Sequence, residues 1–104
     1  MPATKIRLTE SALNDLEEMR EWYRQEGVPE VGDRFVAEIF ERIEALRNHP
    51  EMGRIVPEFE QPILRELIHD PFRIVYRRDP GLVRIVRVWR SERRLVLPDE
   101  REDS

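Results

Sequence analysis

The chain has 104 residues, 38% of them charged and 39% apolar, and a formal net charge of −4. That length supports one domain with a modest core. The lack of cysteine excludes disulfides and thiolate metal sites and fits a reducing compartment.

Two histidines, His49 and His69, are too few for a structural zinc site. No stretch approaches the roughly 18–20 apolar residues of a membrane span, and the start, Met1-Pro2-Ala3-Thr4-Lys5, has no apolar signal core. The expectation is one cytoplasmic domain over 1–104, without metal, cofactor or membrane partner. The net charge argues against indiscriminate nucleic-acid binding, but it is segregated. Residues 1–53 hold 7 basic and 12 acidic side chains, a net −5; residues 54–94 hold 10 and 6, a net +4; residues 95–104 hold 1 and 4, a net −3. Every cation of the basic segment is arginine, the planar fork suited to phosphate or carboxylate. High-GC coding produces the same preference, and composition leaves both readings open.

In chain order, Ile6-Arg7-Leu8 predicts a short strand. Thr9 or Ser11 caps a helix whose first turns carry Glu10 and Asp15 toward its positive end. Ala12, Leu16, Met19 and Tyr23 form one stripe of that helix, which Gly27 ends. Pro29 is placed to open a second helix. Its stripe is Phe35, Ile39, Ile43 and Leu46, broadened by Val36 and Phe40, with Glu38, Glu41, Arg42, Glu44 and Arg47 outward. Asn48-His49-Pro50 stops it. The two stripes describe a helical hairpin that needs a further layer to cover it.

A loop over 51–62 is punctuated by Gly53, Pro57 and Pro62. Three β-rich runs follow, over 63–68, 72–77 and 83–89. Asp70-Pro71 and Asp79-Pro80-Gly81 turn between them, and such short connections predict antiparallel pairing. The acidic segment 98–104 reads as a frayed tail. The fold class is therefore α+β: an N-terminal strand at the edge or centre of the sheet, a helical hairpin, and a three-stranded antiparallel meander.

Alternation puts Phe72, Ile74 and Tyr76 on one face of the middle run, and Arg73, Val75 and Arg77 on the other. In the last run it groups Val83, Ile85, Arg87 and Trp89 against Arg84, Val86, Val88 and Arg90. The apolar faces are expected under the hairpin. The mixed valine–arginine face is too apolar for plain solvent and too basic for core, and is expected to be a concave binding surface. The alternative is that arginine stems simply cover valines at a solvated surface.

Four segments in this order carry a family resemblance. They are Arg7-Leu8-Thr9-Glu10-Ser11-Ala12-Leu13-Asn14-Asp15-Leu16; Leu46-Arg47-Asn48-His49-Pro50-Glu51-Met52-Gly53-Arg54; Arg65-Glu66-Leu67 with Phe72-Arg73-Ile74-Val75-Tyr76-Arg77; and Val86-Arg87-Val88-Trp89-Arg90 with Arg93-Arg94-Leu95. From about Ile6 to Leu95 the chain resembles the RelE/ParE toxins of type II toxin–antitoxin pairs. The resemblance implies growth inhibition, a role in plasmid stabilization, and a cognate antitoxin partner covering the valine–arginine face and the sheet edge.

It also implies two chemistries. ParE-like members are associated with inhibition of DNA gyrase, and RelE-like members cleave mRNA on the ribosome without a metal. Cleavage needs a base, an acid and cations at the scissile phosphate. Arg73 matches the family's phosphate-binding arginine. The two expected lysines are replaced by Leu64 and Glu66, the next arginine falls near Ser91 beside Arg90 and Arg93, and the tyrosine position falls near Leu97.

The leading reading is thus ParE-like. The alternatives are a RelE-like endoribonuclease using Arg73, Arg90 and His69, and a degenerate, non-toxic antitoxin-binding member. His69 is otherwise a surface turn residue, and Tyr76 is assigned to the core. Trp89 packs against a helix, or else stacks a base or anchors a partner peptide. Target and antitoxin binding is assigned to Arg54, Arg65, Arg73, Arg77, Trp89, Arg90 and Arg93, with no small-molecule substrate expected.

Overall fold

A computed structural model describes residues 4–91 and 97. Strand β1 (Lys5–Leu8) leads through Thr9 into helix α1 (Glu10–Gln25), followed by helix α2 (Pro29–Ala45). The sheet continues with β2 (Arg54–Ile55), β3 (Leu64–His69), β4 (Phe72–Asp79) and β5 (Leu82–Arg90). The strand order is β1-β5-β4-β3-β2, antiparallel except that β1 runs parallel to β5. The expected α+β architecture and meander are present. The first strand takes an edge, and a two-residue strand sits inside the segment read as irregular loop. Among the described residues no helix is long and apolar enough to cross a membrane.

Thr9 caps α1 and ties it to the sheet. Its Oγ1 accepts from Ala12 N at 3.1 Å and donates to the Ile85 carbonyl at 3.0 Å. This satisfies one of the unpaired donors at the helix start. Pro29 opens α2 as expected. Gly32 lets the two helices close together: a Cβ there would lie 3.1 Å from the Tyr23 Cβ. The Ala12-Leu16-Met19-Tyr23 stripe and Ile39, Ile43 and Leu46 pack on Leu67, Phe72, Ile74, Tyr76, Val83, Ile85 and Val88 to form the main core.

Three expectations are corrected. Phe40 is exposed and does not broaden the α2 stripe. Glu38 and Arg42 do not face solvent alone but clasp the end of β3: Glu38 Oε1 lies 2.9 Å from His69 Nε2, and Arg42 Nη1 donates to the Ile68 carbonyl at 3.2 Å. Third, strict alternation fails in β5. Val75 is opposite Arg87 while Tyr76 is opposite Ile85, so Val86 is an extra residue. Such a bulge inverts the side-chain alternation beyond it. Arg87 and Trp89 therefore lie on the face away from the helices, and Val88 and Arg90 on the helix side.

Candidate functional site

The face away from the helices does not form the open hollow expected there. The segment after β2 folds back over it. Val56, fully buried, packs with Leu64, Val75 and Val86, and Phe59, Trp89 and Leu97 close around them. Val56 N donates to the Leu64 carbonyl, and Phe59 N and Glu60 N both donate to the Val56 carbonyl, so the cover is a bonded turn. The valines that looked too apolar for solvent belong to a second, smaller core. Apolar side chains on a strand mark burial without saying what buries them.

The arginines are likewise engaged within the chain. Arg73 is buried; its Nη1 and Nη2 donate to the Glu58 carboxylate at 2.7 and 2.8 Å, and its Nε to Glu66 at 2.6 Å. Glu66, with 0% of its side chain exposed, takes Arg54 Nε on its other oxygen at 2.6 Å. The Glu58 fork, more than Glu66, raises the Arg73 pKa still further, and the same bond holds the Glu58 carboxyl below the usual carboxylate range.

Arg77 lies 3.2 Å from Asp79. Arg65 points to the helix side, donating to the Gly53 and Pro62 carbonyls. Arg90 is also on the helix side, over the Trp22 and Phe72 rings. Arg65, Arg73, Arg77 and Arg90, all assigned to target and antitoxin binding, are therefore split between two faces. Arg93 lies outside the described residues, as does the segment 98–104.

Trp89 does not pack against a helix. It belongs to the second core, with the Arg87 guanidinium stacked 4.1 Å from its ring and its indole nitrogen buried without a partner among the described residues.

The candidate acid–base groups are occupied. His69 sits against Glu38 with Phe35 edge-on to its ring. Tyr76 is fully buried; its hydroxyl donates to the Pro50 carbonyl at 2.8 Å and accepts from Gly53 N at 3.0 Å. Burial pushes that phenol's pKa up, so Tyr76 is a core residue holding the 50–53 turn.

An open concavity lies elsewhere. Because β1 covers β5 only as far as Ile85, the last residues of β5 leave a groove against α1 of about 510 Å³. Met19, Tyr23, Phe72 and Val88 give it an apolar lining, and Asp15, Glu18, Arg87 and Arg90 a charged one. Trp22, 49% exposed, stands beside it. Asp15 locks the groove's inner end: it accepts from Arg87 Nε and Nη2 at 2.7 and 2.8 Å and from Val88 N at 2.9 Å.

Sequence reasoning gave Asp15 only a helix-dipole role. Its position within the buried stripe, three residues after Ala12 and four before Met19, was the available signal, since a carboxylate there requires a buried partner. Arg87 and Trp22 were missed because the bulge and the β5 edge have no sequence signature.

A first strand closed parallel onto the last, a helical hairpin, and an antiparallel meander define the class of small RelE/ParE-type α+β proteins. The sequence profile described as ParE toxin of type II toxin–antitoxin system, parDE, matches residues 6–95, and the chain belongs to that family. Among solved structures it is similar to the chromosomal ParDE toxin–antitoxin system of P. aeruginosa, with 26% identity, TM-score 0.72, and 86% of this chain and 97% of that chain covered. It also shares its fold with a chain of the RelBE2 toxin–antitoxin complex of Mycobacterium tuberculosis, at 22% identity and TM-score 0.64, covering 86% and 99%. No curated protein gives a significant match.

Proposed function

We propose that this ParE-family toxin acts in the cytoplasm by binding a protein target, DNA gyrase by family resemblance, and not by cutting RNA. The observation that carries this reading is the state of Arg73. A cleavage site needs a cation free to meet the developing charge on phosphate and a base free to take a proton. Here the Arg73 fork is filled by Glu58 and Glu66, and both His69 and Tyr76 already have partners.

The same proposal includes neutralisation by a cognate antitoxin. The α1–β5 groove supports it, because an amphipathic segment placed there would cover Met19, Trp22 and Phe72 and set polar side chains against Glu18 and Arg90. The valine–arginine face offers such a segment no opening, since the chain's own turn fills it.

The test is expression with and without the neighbouring antitoxin gene, reading protein synthesis and DNA supercoiling separately. Growth arrest with blocked supercoiling and continuing translation is expected. Cut mRNA in a purified ribosome assay, abolished by Arg73→Ala, would replace this reading with the RelE-like one. Harmless expression in both assays would leave a degenerate antitoxin-binding protein.

A further inference from the structure

At the end of the sheet away from the α1–β5 groove, three apolar side chains stand in the open. Met52, Ile55 and Ile63 are 42%, 41% and 42% exposed and belong to neither core. Val56 and Leu64 point into the second core, so their neighbours Ile55 and Ile63 turn to the helix side. Ile55 is directly opposite Arg65, two residues along from Ile63, and such diagonal neighbours are about 7–8 Å apart. Met52 adjoins them through Gly53, whose N–H is bonded to the Tyr76 hydroxyl. Helix α2 stops at Ala45 and leaves this corner uncovered. Single exposed apolar side chains need no explanation, but neighbouring ones mark contact surfaces.

Two cations frame the patch. Arg65 shares its face, and Arg78 N donates to the Ile63 carbonyl at 2.7 Å. Arg78 is opposite Val83 of the main core, so its side chain is also on the helix side. Among the described residues neither arginine has a carboxylate partner. Arg65 Nε and Nη1 donate to the Pro62 and Gly53 carbonyls at 3.2 and 3.1 Å, which fixes the guanidinium without neutralising it. The Tyr76 hydroxyl behind them is acted on by both guanidinium charges and by one carboxylate, Glu51. The local balance is positive.

We infer that Met52, Ile55, Ile63, Arg65 and Arg78 form a docking surface for a segment of a partner protein that carries aliphatic side chains beside carboxylates. Its carboxylates would take the unused guanidinium donors, and its aliphatic groups would fill the space between them. Other occupants fit less well. A wholly apolar segment would bury two guanidinium groups without compensation. A phosphate backbone would gain nothing from the three apolar side chains. A second copy docked about a two-fold axis would set Arg65 and Arg78 against the same two arginines.

The surface and the groove lie at opposite ends of β4, at Arg78 and at Phe72, so occupation of one leaves the other open. The inference does not rest on the toxin reading.

The test is an NMR titration of the isotope-labelled full chain with a peptide of Glu-Glu-Leu-Leu repeats. The largest amide shifts are expected at Met52, Ile55, Ile63 and Arg78. Ile55→Ser/Ile63→Ser should weaken binding at least about tenfold, as loss of a central anchor does. Arg78→Gln should weaken it about threefold at low salt, and added salt should erase that difference. Leu13→Ser, an equally exposed apolar change on α1, should alter affinity less than about twofold.

The double variant loses only exposed side chains and should melt within about 5 °C of the parent. Should it fail to fold, Arg78→Gln carries the test. The proposal is overturned by no binding up to about 1 mM peptide, or by shifts confined to Trp22 and Val88 in the groove. Equal affinity for polyglutamate, or for the same repeats with lysine in place of glutamate, would overturn it as well. So would the same shifts appearing on concentrating the protein alone, which would make the occupant a second copy.

Discussion

Replacing Glu66 by alanine tests whether burial or the number of ion pairs sets the strength of the Arg54–Glu66–Arg73–Glu58 network. Glu66 is wholly enclosed, and each of its oxygens accepts from one guanidinium Nε. Removing one member of a buried pair costs about 3–5 kcal/mol, because the other charge is left uncompensated. Arg73 would keep its fork to Glu58, which places the expected loss near the lower bound, about 3 kcal/mol.

Glu58, 42% exposed, is far less enclosed than Glu66 despite its two-pronged bond. Solvent screening limits Glu58→Ala to about 1 kcal/mol. For a domain of this size about 1 kcal/mol moves the melting temperature by 4–8 °C. Glu66→Ala should therefore melt roughly 12–24 °C below the parent, and Glu58→Ala no more than about 8 °C below it. Thermal unfolding by circular dichroism at neutral pH reads both. Equal drops in the two variants would refute the reasoning.

Other outcomes follow from the same geometry. Glu58 has a depressed pKa in the folded state, so its contribution is present above the usual glutamate value, about 4.3, and is lost as pH falls through the lower folded value; acid titration of stability should be shallower in Glu58→Gln than in the parent. Tyr76→Phe strands the Gly53 N–H and the Pro50 carbonyl and should cost about 1–3 kcal/mol by denaturant unfolding. Gly53→Ala should be as damaging, since its Cβ would lie 2.6 Å from the Tyr76 hydroxyl and 2.8 Å from the Glu66 carbonyl. Asp15→Ala should accelerate amide exchange at Val88, whose N–H loses its acceptor, while exchange at Ile74 in the sheet centre changes little.

The extent of the helical hairpin and its main buried stripes were legible from the 3.6-residue period and the terminal signals, but the margins of the second helix were not, where Phe40 is exposed and Glu38 and Arg42 reach the end of β3. The meander followed from Asp70-Pro71 and Asp79-Pro80-Gly81. The site was not legible in the same way. A single extra residue at Val86 reversed Arg87, Val88, Trp89 and Arg90, and bulges have no composition signal in one sequence. The predicted hollow failed for a related reason. Alternation correctly showed that Val75 and Val86 needed cover, but a segment rich in proline and glutamate gave no sign that Val56 and Phe59 would supply it. Carboxylates close in space and distant in sequence, such as Glu58 to Arg73 and Asp15 to Arg87, then consumed cations that composition had counted as available.

The parallel seam between the first and last strands has a consequence for biogenesis. Thr9 is bonded to a carbonyl 77 residues further along, so the N-terminal edge cannot close until nearly the whole chain has left the ribosome. Long-range closure of this kind is slow and comes late. Nascent and prematurely terminated products lack a finished sheet, and with it the α1–β5 groove. A cell making this protein thus has an interval, set by the completion of β5, in which the polypeptide exists but its α1–β5 groove does not.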